Sequence, residues 1–130
     1  MRANKEYQLY KDVAAYLRLQ YPKVMYHFDL TGVNLSRAQA GMTKAIQCSS
    51  GYPDLFIAEP RKGSHGLYLE LKAEGTRLYK RNHELASDHI KQQSRVLYDL
   101  RTKGYDAWFA VGFDEAKELI DRYLNGQTNY

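Results

Sequence analysis

A chain of 130 residues, 44% hydrophobic and 26% charged, has the size and balance of one domain with a single core, 1–130. That composition excludes a disordered chain, and no apolar run approaches the ~18 residues of a membrane span. Net charge is +4, which favours a polyanionic partner, and a single cysteine (Cys48) rules out an internal disulfide or a Cys-rich zinc site. The amino-terminal MRANKEYQLY lacks the apolar centre of a signal peptide, so a cytoplasmic setting is expected.

In chain order, Tyr10, Val13, Ala14, Leu17 and Tyr21 recur at spacings of three and four, predicting an amphipathic helix from Glu6 that Pro22 ends. VMYHFDL (24–30) reads as a strand, and SRAQAGMTKAIQ (36–47) as a short helix capped by Ser36. DLFIAE and LYLELKA are strands joined by the basic turn PRKGSHG. Residues 74–87 show no clean period and predict a mobile loop. DHIKQQSRVLYDLRTKG is a helix with Ile90, Gln93, Leu97 and Leu100 on one face and Gly104 as its stop. YDAWFAVG is apolar enough to predict a central strand, and DEAKELIDRYL closes the pattern as a helix. The order α, β, α, β, β, α, β, α predicts an α/β fold, a mixed central sheet flanked by helices.

Charge sits inside two of these strands. Alternation sends Leu69, Leu71 and Ala73 to one face, and Tyr68, Glu70 and Lys72 to the other. If DLFIAE pairs beside this strand, Asp54 approaches Glu70 from the neighbouring strand's start. Two carboxylates within reach form a hard-oxygen site suited to Mg²⁺, and the Leu71 carbonyl is a further candidate ligand. Lys72 then lies beside the metal, placed to orient a water or offset charge on a phosphate.

GYPDLFI followed by LYLELK resembles the PD-(D/E)xK nuclease superfamily, with Asp54 and Glu70-Leu71-Lys72 at its signature positions. Adding the first helix with Glu6, ELKAEGT, HIKQQSRVLYDLRTKGY and GFDEAKELIDRYL, nearly the whole chain resembles the virus-type replication-repair nuclease (VRR-NUC) family, found alone in phages or attached to larger repair proteins. The resemblance implies a restriction-endonuclease-like fold and metal-dependent hydrolysis of DNA to 5′-phosphate and 3′-hydroxyl ends. It implies Asp54, Glu70 and Leu71 as metal ligands, Lys72 as the catalytic lysine, and Glu6 as the first-helix glutamate near the metal. Gln93 matches the glutamine of the following helix, with Gln92 the competing position. Mg²⁺ is the implied cofactor, with Mn²⁺ substituting.

Arg61, Lys62, Arg77, Lys80, Arg81, Lys91 and Arg95 surround the motif in sequence and are candidate phosphate contacts. Stand-alone members resemble Holliday-junction resolvases, which implies a homodimer on branched or double-stranded DNA, within a bacterial host or its nucleoid if phage-encoded. Tyr10, Tyr16, Tyr123 and Tyr130 are candidate contributors to the dimer. The competing readings are a flap- or end-processing nuclease of the same superfamily and a non-catalytic DNA-binding module.

Overall fold

The structure, a computed structural model, describes residues 2–30 and 35–126, with side chains from residue 5 onward. The elements are α1 (Arg2–Gln20), β1 (Tyr26–Phe28), α2 (Arg37–Ile46), β2 (Leu55–Ile57), β3 (Leu67–Lys72), α3 (Asp88–Thr102), β4 (Asp106–Val111) and α4 (Gly112–Leu124). The sheet runs β1-β2-β3-β4. Its first two pairings are antiparallel, while β3 and β4 run parallel, with α3 in the crossover between them.

One face of the sheet carries the larger core. Leu55, Ile57, Leu67, Leu69 and Leu71 meet Leu9, Tyr10, Val13 and Leu17 of α1 and Ala116, Ile120, Tyr123 and Leu124 of α4. The other face holds a smaller cluster, Val96, Leu97 and Leu100 of α3 against Ala107 of β4. Leu69 has no exposed surface. Leu69→Ala should therefore cost about 2–5 kcal/mol, read as a lower urea midpoint at unchanged slope.

Two helices of the larger layer are joined by a polar contact. Tyr16 and Tyr21 both donate to Oδ1 of Asp121, at 2.5 and 2.7 Å, and Lys117 Nζ lies 3.1 Å from Oδ2. Burial alone would raise the Asp121 pKa, but the donors outweigh it and hold it below the ordinary value. A lowered pKa gives stability that is present above about pH 4 and is lost as pH falls through the folded-state value. Asp121→Asn should lose about 1 kcal/mol at pH 7, a modest figure because the site is partly open to solvent. Melting curves of the two proteins should converge below about pH 3.

Three expectations change. β4 is an edge strand of the described sheet, not a central one. It reads as central because helices cover both of its faces: Ala107 and Phe109 face the α3 cluster, while Trp108 and Ala110 face the larger core. Tyr10 and Tyr123 are buried on the inward faces of their helices and cannot join a dimer surface, while Tyr130 lies outside the described residues. The segment 74–87 closes on itself, with Ala86 N–H donating to the Leu78 carbonyl and Lys80 N–H to that of Glu84.

α2 is unusual. It carries a complete capping box between Ser36 and Gln39, yet buries none of its residues. Among the described residues, no helix is long and apolar enough to cross a membrane.

Candidate active site

β3 supplies Glu70 and Lys72 on the face that α3 covers, and Leu69 and Leu71 on the opposite face. The register pairs Leu55 with Leu69, so one further step sets Asp54 opposite Glu70. Asp54 enters from buried Pro53, and its own carbonyl accepts from Asp29 N–H at 2.7 Å. Its side chain is held as well, with the Leu71 N–H donating to Oδ2 at 2.8 Å. Asp54 and Glu70 are only 4% and 3% exposed.

Gln93 of α3 donates from Nε2 to Glu70 Oε2 at 3.0 Å, and Lys72 Nζ stands 3.9 Å from the same oxygen. Gln92 faces elsewhere: its amide donates to Ser49 Oγ and to the Ser50 carbonyl, both at 3.3 Å. Of the two adjacent glutamines, Gln93 touches the carboxylate and Gln92 ties down the segment leading into the Pro-Asp motif.

These groups open into a cleft of about 400 Å³. Glu6 of α1 lines it, as do His89, Tyr52 and Gln47. Leu71 does not line it: its N–H holds Asp54, and its side chain is part of the larger core. The sequence reading gave no site role to two residues next to these groups. His89, which lines the cleft, lies one turn before Gln93, a spacing of four that puts both on one helix face. Tyr10, in the core beneath, lies one turn after Glu6 and hydrogen-bonds Asp54.

Burial pushes Glu70 well above the usual carboxylate range, and the neighbouring Asp54 and Glu6 charges push the same way, with Lys72 opposing. Burial also raises Asp54, against hydrogen bonds from Glu70, Tyr10 and the Leu71 N–H and the charge of Lys72. Two buried acids this close do not both stay charged unless a cation or a proton lies between them. Glu70 Oε1 and Gln93 Oε1 are buried and accept no hydrogen bond. An oxygen-seeking divalent cation fits that pair of orphaned acceptors. Among the described residues, no three His, Cys, Asp or Glu side chains converge as a metal-binding set. Glu6 therefore borders the cleft without completing a three-acid cage, and water and main-chain oxygen would fill out the shell.

The basic residues divide. Arg77, Lys80 and Arg81 are exposed on the segment leaving β3, and Lys91 and Arg95 are exposed on α3. Arg61 and Lys62 do not border this cleft. They line a separate pocket before the start of β3, about 20 Å of strand from Lys72.

A mixed sheet with flanking helices, bearing a Pro-Asp start on one strand and Glu-Leu-Lys on the next, is the PD-(D/E)xK architecture. A solved structure described as a VRR_NUC domain protein has the same fold, with a TM-score of 0.68 at 25% identity, covering 95% of this chain and 90% of that one. Over nearly its whole length the chain is therefore similar to a VRR_NUC domain protein. No protein-family model matches the sequence, and no curated protein does.

Proposed function

We propose that residues 1–130 form one nuclease unit, a Mg²⁺-dependent endonuclease that hydrolyses phosphodiester bonds in branched DNA and acts as a homodimer on four-way junctions. The observation that carries the reading is the buried pair Asp54 and Glu70, with an unpartnered Glu70 Oε1 and Lys72 beside it, at the end of an open cleft. The likeness to a VRR_NUC domain protein supports the nuclease part of it.

The chain's own residues divide the work. The Leu71 N–H fixes Asp54, and the Gln93 amide fixes Glu70, so neither carboxylate has to be ordered when substrate arrives. Asp54 and Glu70 would hold Mg²⁺, which would supply Lewis acidity toward the phosphate and lower the pKa of a water. Lys72 offsets negative charge on the phosphate and orients the attacking water. Arg77, Lys80, Arg81, Lys91 and Arg95 give salt-dependent backbone contacts.

The homodimer has its support at the far edge of the sheet. Met25, Leu30, Met42 and Ile46 are more than half exposed around an apolar groove of about 450 Å³ between α2 and the β1 edge. A capped ten-residue helix that buries nothing in its own chain fits a partner surface.

The test is end-labelled DNA, as four-way junction, flap and linear duplex, incubated with Mg²⁺ or Mn²⁺. Paired symmetric nicks on the junction alone are expected. Cutting of flaps or ends would keep the nuclease and remove the resolvase, and binding with no cleavage under either metal would leave only a DNA-holding module.

A further inference from the structure

The two faces of β2 and β3 differ. Facing α1 and α4, Leu55, Ile57, Leu67 and Leu69 have no exposed surface. On the other face α3 packs chiefly against β4, and the side chains above β2 and the start of β3 are half-buried aromatics, of which Tyr52, Tyr68 and Tyr105 touch the α3 cluster along one side. Phe56 and Tyr68, direct cross-strand partners, stack with centroids 4.3 Å apart. Tyr52 donates its hydroxyl to that of Tyr68 at 2.9 Å, and Tyr105 meets both Tyr68 and Phe56 edge-on. Gly66 makes room for this row: a Cβ there would stand 2.7 Å from the Phe56 ring.

Both ends of the row are occupied by chemistry. Tyr52 lines the cleft that holds Asp54 and Glu70. Tyr105 lines the pocket of about 170 Å³ that contains Arg61, Lys62 and Arg101, with Asp106 as its acid. Arg61 is held by Glu59 and the Leu124 carbonyl, and Arg101 by the Ala107 carbonyl, so both are fixed walls. Lys62 is exposed at the rim, in a left-handed backbone conformation with φ of 42°.

We propose that Tyr52, Tyr68, Phe56 and Tyr105 form a stacking platform for the bases of single-stranded DNA running from the cleft, with a backbone phosphate taken by the Arg61–Lys62 pocket. Bases stack on aromatic rings without regard to sequence, and open sheet faces bearing aromatics are a recurrent way of holding single strands. A protein segment would have no use for a basic pocket at one end and a carboxylate cleft at the other. The inference rests on the nuclease reading and deepens it: the platform takes bases that leave the duplex at the branch point, beside the scissile bond. Arg61 and Lys62 thereby contact DNA at a distance from the cleft.

The test is fluorescence anisotropy with a labelled fifteen-nucleotide oligothymidine and with a blunt duplex of equal length, both in EDTA so that nothing is cut. The proteins are the wild type, the double variant Phe56→Leu with Tyr105→Leu, which keeps apolar bulk, and Lys62→Ala. The double variant should bind the single strand roughly five- to hundredfold more weakly, the loss of one or two stacked bases, with duplex affinity unchanged. Lys62→Ala should lower the salt dependence of single-strand binding by about one phosphate contact. A double variant that melts like the wild type yet binds the single strand equally well, or loses single strand and duplex alike, overturns the platform. Wild-type cleavage in Mg²⁺ is scored separately: cleavage with no aromatic dependence of binding sinks the platform and leaves the nuclease, whereas no cleavage of any DNA sinks the nuclease reading itself.

Discussion

Lys72→Ala should lower the DNA cleavage rate by about a thousandfold or more while leaving DNA affinity within a few-fold of wild type. The side chain of Lys72 is almost wholly buried and points along the same face as Glu70, 3.9 Å from its carboxylate. A buried ammonium there serves two needs. It offsets part of the negative charge that Asp54 and Glu70 concentrate, and it meets the charge that develops on a phosphate under attack. Lys72→Arg should not rescue the rate, because a planar guanidinium neither fits the space of a compact ammonium nor presents a single point of charge. The measurement is single-turnover cleavage of the best DNA substrate in Mg²⁺, with binding measured in EDTA and melting curves alongside. A variant that folds, binds and still cuts at a tenth of the wild-type rate would remove Lys72 from the chemistry.

Glu70→Gln should raise the stability of the metal-free protein. Without a divalent cation, Glu70 is a buried carboxyl whose pKa lies above its unfolded value, chiefly through burial and then through Asp54. The sign follows directly. A raised folded-state pKa gives stability that is fully present below the unfolded pKa and is lost as pH rises through the folded value. The metal-free protein is therefore penalised at neutral pH and above, and the neutral amide removes that penalty. In EDTA at pH 7–8, Glu70→Gln should melt several degrees higher than wild type, with the gap closing toward about pH 4–5. Adding Mg²⁺ should raise the wild-type melting temperature by about 5 °C or more and the variant's by much less. Equal Mg²⁺ responses in both would detach the carboxylate from metal binding. Asp54→Asn should behave similarly but gain less stability in EDTA, since Asp54 also accepts the Leu71 N–H and is bonded by Tyr10.

Some of this was legible in the sequence because it depends on local pattern. LYLELK alternates, so the separation of Leu69 and Leu71 from Glu70 and Lys72 needs only the pleat of a strand. Gln93 stood apart from Gln92 because it shares the apolar face of α3 with Ile90 and Leu97, and the structure turns it onto Glu70. The Ser36 cap was equally local. What was lost depends on contacts between distant elements. β4 looked central because helices cover both its faces, which sequence cannot separate from having strands on both sides. Arg61 and Lys62 are near Asp54 in number, but β2 lies between and carries the chain to the opposite end of the sheet. Tyr10 reads both as part of the apolar stripe of α1 and as a dimer candidate, and only the fold decides: it packs on Phe28 and reaches Asp54 from across the core. That α2 buries nothing was not legible either, since its pattern of apolar residues is the one a packed helix would have.

Gln92 and Gln93 are neighbours on one helix, but they grip opposite walls. One amide holds Ser49 and Ser50 beside the cleft mouth, and the other holds Glu70 on its floor. A helix is stiff across a single residue, so these two walls share one lever. Any rotation or slide of α3 moves both grips together, so the Ser49–Ser50 segment and the Glu70 carboxylate are tied to the same rigid body.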